Sequence, residues 1–411
     1  MSEPRSGLRG DIGPRLQRGS SVSVTAASGF TAGSVAAGLK ASGGADLTVV
    51  VNEGPHYAGA AVFTSNRAKA NPILWSEQAI NSGVIRAIVL NSGGANCFTG
   101  PEGFQLTHAT AEKAANLLGD TGATEIQVCS TGLIGELLPT GAIINGLELA
   151  LARRDGSPEA GEESARAIMT TDSVPKMSQV TLSTPEGDVT IGGMAKGAGM
   201  LAPGLATMLV VITTDALLPA ETLDAALREA TRLSFDRLDS DGCMSTNDQV
   251  TLMASGASGI TPENPAFSAS LTELCEDLAQ QLMRDAEGAS HDITIEVRGA
   301  ASESDALAVG RSIARNNLFK AAIFGNDPNW GRVLAAIGTV DADFDPYTVD
   351  VSMNTVRVCH QGRPDRPRTE VDLTPRDTHV LLDLNAGDAS ASVWTNDLTH
   401  DYVHENSAYS S

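Results

Sequence analysis

Short β-branched runs, bounded by turn residues and separated by stretches of helical periodicity, recur along nearly the whole chain. A chain patterned in this way must bury several sheets against helices, which places it in the mixed α/β class, α/β or α+β, and excludes a strict βαβ array because the alternation is irregular. The runs at Leu47–Val51, Ala60–Phe63, Arg86–Leu90, Glu125–Cys129 and Thr207–Thr213 read as strands in the first half. Val180–Ser183 and Asp188–Ile191 flank Thr184-Pro-Glu-Gly187 and read as a hairpin. In the second half Val250–Ala254, Ile293–Val297, Val333–Ile337, Thr348–Val351, Val380–Leu384 and Ala389–Trp394 read as strands. Helical spacing marks Thr107–Leu118 (with Thr107 as N-cap), Ala142–Arg153, Ala220–Leu233, Ser270–Asp285 and Ser302–Asn316, while Arg154–Glu162 reads as a loop. No 20–50-residue repeat and no low-complexity linker interrupts the pattern, so the two or three domains suggested by 411 residues merge into one body.

Charge narrows the partners. With 28 Lys+Arg against 50 Asp+Glu the chain carries −22, which repels nucleic acid and anionic membranes and is compatible with a small cationic ligand. No apolar run is long enough to span a bilayer. The five cysteines are scattered and odd in number, as expected of a reducing cytoplasm. The first 20 residues carry four arginines but no apolar segment, and read as a loose arm rather than a secretory signal.

Several chemistries are absent from the motif set: there is no GxxxxGK[ST], no GxSxG and no HExxH. His400 and His404, four residues apart, fit a metal pair only on a helix and otherwise read as solvated residues; Asp239-Ser-Asp-Gly242 opens like a calcium loop but lacks its closing glutamate. No metal is expected, and catalysis is left to hydroxyls, amines and backbone dipoles. Lys196-Gly-Ala-Gly-Met-Leu-Ala-Pro-Gly-Leu-Ala206-Thr207 is the segment most suited to them: a glycine-rich, proline-constrained turn ends at a hydroxyl that opens an apolar strand. An internal threonine there could attack the preceding carbonyl, cut Ala206–Thr207 and expose an α-amine able to serve as base for its own hydroxyl, with Lys196 lowering that amine's pKa. The alternative is an ordinary glycine-rich loop in which Thr207 merely packs. Thr131-Gly132, directly after a strand, could present an oxyanion site or simply a helix-capping connection. Asn91–Asn96, Asp236–Asp248, Asp285-Ala-Glu287-Gly288 and Phe324–Arg332 are polar turns that are each, alone, as well explained by structure.

Taken together, these segments resemble the ornithine acetyltransferase (glutamate N-acetyltransferase) family of arginine biosynthesis. The match rests on Lys196–Asp215, Thr131-Gly132, Met169-Thr-Thr-Asp172, Ser245-Thr-Asn-Asp248, Asp285-Ala-Glu-Gly288, Asp327-Pro-Asn-Trp-Gly-Arg332 and the terminal Glu405–Ser411, in order along the chain beyond about Ser20. Ala198 stands where many relatives carry serine. The resemblance implies a layered α/β fold related to the internally cleaved aminopeptidases. It implies cleavage at Ala206–Thr207, giving an α chain (21–206, after the arm 1–20) and a β chain (207–411) that stay together as a heterotetramer in the cytoplasm. Thr207 would carry acetyl from N-acetylornithine to glutamate in a ping-pong cycle, Thr131 and Gly132 would form the oxyanion hole, and Thr170, Lys196, Thr207, Glu287, Asn406 and Ser411 would bind substrate. Glu287 would pair with a substrate ammonium, and Lys196 and Asn406 would address carboxylates. No cofactor is implied; acetyl-CoA stays open as a second donor. An N-terminal-nucleophile aminopeptidase or amidase, a related acetyltransferase of a secondary-metabolite pathway and a non-enzymatic binding protein are the competing readings.

Overall fold

The computed structural model describes residues 15–17, 23–203 and 208–408, with 15–17 as backbone only. The expected cleavage point, Thr207 and Ser411 lie outside the described residues. In chain order the strands of the first half are β1 (Arg15–Gln17), β2 (Phe30–Val35), β3 (Leu47–Asn52), β4 (Ala58–Phe63), β5 (Ala87–Ser92), β6 (Ile126–Thr131), β7 (Lys176–Thr184), β8 (Gly187–Lys196) and β9 (Leu209–Thr214). They are followed by β10 (Gln249–Ala254), β11 (Asp292–Ala300), β12 (Asp350–Met353), β13 (Val356–His360), β14 (Arg363–Pro364), β15 (Asp377–Asp383) and β16 (Ala389–Asn396). The helices are α1 (Asn71–Ala79), α2 (Gly100–Leu118), α3 (Thr140–Arg153), α4 (Pro158–Ala167) and α5 (Ala220–Leu233). Then come α6 (Asn264–Arg284), α7 (Glu303–Ala314), α8 (Asn317–Phe324), α9 (Trp330–Ile337) and α10 (His400–Ala408).

Three mixed sheets result, in the orders β1-β7-β8-β9-β10-β4, β2-β3-β5-β6 and β14-β13-β12-β15-β11-β16. Strand alternation stacks the first two. On β9, Val210 and Ile212 face α5 and α6 in one core, whereas Leu209 and Val211 join Met194 and Met253 against Val50, Ile88 and Leu90 of the second sheet. The second sheet turns Val49, Val51, Val89 and Val128 outward onto α1, α2 and α3. The order of layers is therefore helix, sheet, sheet, helix, and both inner sheets are buried on two faces. That is why their strands read as continuous apolar runs rather than alternating ones. The third sheet packs its own core under α7, α8 and α9 and joins the rest through the Leu238–Trp394 bridge.

The expected elements reappear with shifted ends, and a few change kind. Val333–Ile337 is not a strand but the body of α9, with Val333, Ala336 and Ile337 buried one helical turn apart. Five apolar residues fit either period, and the tertiary face decided. α2 begins at Gly100, so Thr107 is not its cap. It sits in mid-helix, its hydroxyl donating to the Gly103 carbonyl at 3.1 Å. Part of the stretch read as a loop at Arg154–Glu162 belongs to α4, started by the Ser157 side chain, which accepts from the Ala160 N–H, and by Pro158. Within the arm, Arg15–Gln17 pairs antiparallel with β7 rather than standing loose. The stretch holding His400 and His404 is α10, and the His400 ring lies edge-on to Phe324.

Candidate active site

β6, β8 and β9 end or begin at one edge of the stacked sheets, and the polar residues gather there. Lys196 closes β8, opposite Leu209 at the start of β9. A lysine on a doubly buried strand must find partners or lose its charge. Its side chain is 2% exposed, and its ammonium donates to Thr170 Oγ1 at 2.8 Å and Thr131 Oγ1 at 3.3 Å. A hydroxyl that accepts from an ammonium keeps its own hydrogen to donate, so Thr131 is prepared to bond a developing oxyanion.

Thr131 leads into Gly132, whose φ of +127° is a glycine conformation; a Cβ there would lie 2.5 Å from the Gly94 nitrogen. The Gly94 N–H in turn donates to the Thr131 carbonyl at 3.0 Å, pinning this turn to the Asn91–Asn96 turn. Asn247 fastens both from the other side, donating to the carbonyls of Ala95 (2.6 Å) and Ser130 (2.9 Å).

Asp172 organises the set. One carboxylate oxygen accepts from Lys176 Nζ and from the Gly197 N–H, each at 2.6 Å; the other accepts from the Thr170 N–H at 3.0 Å and lies 3.9 Å from Lys196 Nζ. Burial works against this charge, but Lys196 and Lys176 outweigh it and hold the carboxyl at about 2. Lys176 is itself wholly buried and bridges on to Asp285 at 2.5 Å. Lys196 moves the other way: burial lowers its pKa, and Asp172, Asp248 and Glu287 only partly restore it. Asp248 accepts from the Met208 N–H at 3.0 Å, and burial raises its carboxyl well above the ordinary range.

The second group lies one short segment away. The Glu287 N–H donates to the Ala198 carbonyl at 3.1 Å, and the Glu287 carboxylate rests where a Cβ on Gly199 would be, 2.6 Å from it. Asn406 on α10 donates to Glu287 Oε2 at 2.9 Å, and α10 is tied to the Glu287 turn by Thr399 Oγ1 donating to the Gly288 carbonyl at 2.6 Å. Glu287 also lines a cavity of about 340 Å³ with Asp241, Lys320, Asn396, Asp397 and Tyr402. Burial, then Asp241, Cys243 and Glu287, push the Tyr402 hydroxyl up to about 12, so it stays a neutral donor.

The structure thus brings together Thr131, Gly132, Thr170 and Lys196 in one cluster and Glu287 with Asn406 in an adjoining one. Thr207 precedes Met208 in the sequence and, like Ser411, lies outside the described residues. Among the described residues no cluster of three His, Cys, Asp or Glu side chains could hold a metal ion. Sequence reasoning did not single out Asp172, Lys176, Asn247 or Asp248 as site residues, although all but Lys176 stand inside quoted motifs. For Lys176 no local signal was available, because the run read as a strand began at Val180 and the observed β7 starts four residues earlier in a polar, alternating stretch.

The ArgJ family profile matches residues 31–411. An arginine biosynthesis bifunctional protein ArgJ from Streptomyces coelicolor is 62% identical over 390 residues, covering 95% of this chain and 100% of that protein. The protein of the same name from Mycobacterium tuberculosis is 52% identical over 392 residues, 94% of this chain and 96% of its own. Among solved structures, a chain of the ornithine acetyltransferase of Mycobacterium tuberculosis complexed with ornithine is 50% identical, with a TM-score of 0.44, and spans 48% of this chain and 100% of that one. An L-aminopeptidase D-Ala-esterase/amidase from Ochrobactrum anthropi is 14% identical, with a TM-score of 0.43 over 69% of this chain and 89% of its own.

Proposed function

The chain belongs to the ArgJ family, and from that premise we propose a self-cleaving acetyltransferase that moves acetyl onto glutamate from either N-acetylornithine or acetyl-CoA through an acetyl-threonine at position 207. The observation that carries this reading is the Lys196–Thr131–Thr170 cluster, set where β9 starts two residues after Thr207.

Maturation breaks the Ala206–Thr207 bond by attack of the Thr207 hydroxyl on the Ala206 carbonyl and hydrolysis of the resulting ester, leaving a free α-amine on Thr207. In the first half-reaction Thr207 Oγ attacks the acetyl carbonyl of N-acetylornithine while its α-amine takes the hydroxyl proton. Thr131 Oγ1 and the Gly132 backbone carry the oxyanion charge. Collapse breaks the C–N bond, the leaving amine collects the proton, and ornithine departs. The α-amine of glutamate then attacks the acetyl ester; the C–O bond breaks, the proton returns to Thr207, and N-acetylglutamate leaves. With acetyl-CoA the same first step breaks a C–S bond and the thiol takes the proton. Each exchange trades one acyl bond for another, so ATP is not consumed.

Glu287 provides the negative charge for a substrate ammonium, and its Asn406 bond fixes the carboxylate plane. Lys196, charged, attracts a substrate carboxylate and orients Thr131 and Thr170. Ser411 is assigned to substrate binding by the family resemblance alone. The α chain (to Ala206) and β chain (from Thr207) remain associated as a cytoplasmic heterotetramer.

The test is denaturing electrophoresis with assay. The purified protein is expected as two bands of similar size and forms N-acetylglutamate from N-acetylornithine plus glutamate; Thr207→Ala is expected as one uncleaved, inactive chain. Processing or activity in Thr207→Ala sinks the proposal, and release of free acetate instead of N-acetylglutamate would identify an amidase.

A further inference from the structure

A second opening reaches Thr170 and Asp172 and shares no lining residue with the cavity beside Glu287. Lys40, Arg153, Glu163, Arg166, Thr170 and Asp172 line a groove of about 640 Å³ between the turn after β2 and the α3–α4 region. Its inner end is Thr170, whose hydroxyl accepts from Lys196 at 2.8 Å, and Asp172. Its outer wall is cationic on a chain whose net charge is −22. Such a local reversal of sign needs a reason, because the surrounding field repels anions.

The cations are not consumed by structure. Arg153, the last residue of α3, has no hydrogen bond or ion pair among the described residues. Arg166 pairs with Glu162 at 2.7 Å but remains exposed. Lys40 is held on a turn whose backbone N–H groups, from Ala37 to Lys40, converge on the Asp46 carboxylate. Its ammonium donates to the carbonyls of Ala45 (3.0 Å) and Ala167 (3.2 Å), which leaves one of its three N–H groups over. Lys40 also feels Lys196 and Asp172, so the groove and the acyl site share one field. Of the acids on this wall, Asp172 is already engaged by two lysines, and Glu163 is the carboxylate left facing the cations.

We propose that this groove binds the phosphate groups of acetyl-CoA, delivering its thioester past Thr170 to the acyl site, while N-acetylornithine enters by the cavity beside Glu287. The proposal rests on the two-donor reading above and adds a separate binding site for one donor. N-acetylornithine has no phosphate, so the groove serves only the thioester reaction. Arg and Lys spaced along an open channel match a polyphosphate nucleotide better than they match a small amino acid.

The experiment compares three acetyl donors, acetyl-CoA, the phosphate-free thioester S-acetylpantetheine and N-acetylornithine, on the wild type, on Arg153→Gln/Arg166→Gln and on Glu163→Gln. For the double variant KM for acetyl-CoA is expected to rise about tenfold, as two screened charge contacts allow. Its kcat/KM for S-acetylpantetheine and N-acetylornithine is expected to stay at the wild-type value, which also certifies folding and maturation. Glu163→Gln is expected to shift KM for acetyl-CoA downward. An unchanged KM for acetyl-CoA in both variants, or equal wild-type use of acetyl-CoA and S-acetylpantetheine, overturns the groove. A wild type that uses N-acetylornithine but no acetyl-CoA overturns the second activity itself, and the groove with it.

Discussion

At the scale of single residues, the charge state of Lys196 is the quantity the site controls. Burial lowers the pKa of its ammonium, and Asp172, 3.9 Å away, is the acid that does most to support the charge. Replacing Asp172 by Asn keeps the shape but leaves Lys196 and Lys176 with less compensation. The pKa of Lys196 then falls further, so the charged form is lost at a lower pH. For Asp172→Asn the alkaline limb of the kcat/KM profile should move to lower pH. The plateau should drop roughly ten- to hundredfold, the worth of one charge-assisted contact. A merely structural role for Asp172 would lower activity evenly at every pH, so the profile distinguishes the two. Lys196 and Thr131 were legible as amine and hydroxyl chemistry beside constrained turns, and Thr170 only through the family resemblance. Asp172 was not, because its role depends on Lys176 and Gly197 meeting it in space, and pairings of that kind leave no local pattern.

At the scale of elements, what can be read from sequence depends on how many faces are buried. α5 was legible to its ends because an amphipathic helix on a surface shows one apolar stripe. α9 was not, since eight residues with a short apolar run carry no deciding period. α6 shows the energetic side of this. Leu271, Leu274 and Leu278 are fully buried between α5 and the first sheet, and the helix delivers Asp285 and Glu287 to the site at its end. Leu274→Ala leaves a cavity in that core and should cost about 3 kcal/mol. Urea denaturation should show a lower midpoint with an unchanged slope. Because the helix end is held separately by Lys176 on Asp285, activity per folded molecule should be preserved. If activity falls in proportion to stability even well below the transition, α6 positions the site through its packing and not through its terminal contacts.

At the scale of the whole molecule, the third sheet keeps a hydrophobic core of its own and meets the rest through Trp394 and a set of polar contacts, one of which carries a pH dependence. The Asp239 N–H donates to the Trp394 carbonyl at 2.8 Å, and Asp239 Oδ2 accepts from Arg315 Nε at 2.7 Å. Its other oxygen is buried with no partner among the described residues. Burial therefore raises this carboxyl to about 6, against the pull of Arg315, Arg311 and Lys320. A carboxyl with a raised folded-state pKa binds its proton more tightly in the native protein than in the unfolded chain. The stability it contributes is complete below about 4 and is lost as pH rises towards 6, a loss on the order of 3 kcal/mol. Asp172, held near 2, acts with the opposite sign, but only below about 4, so the two do not overlap. Comparing denaturation of the wild type with Asp239→Asn between pH 4 and 7 isolates the effect. Asn is a neutral mimic of the protonated carboxyl, so the variant should start close to the wild type near pH 4 and decline less steeply as pH rises towards 6. Parallel curves for the two proteins across that window would mean that the Arg315 contact keeps Asp239 ionised throughout, and that the attachment of the third sheet does not respond to pH.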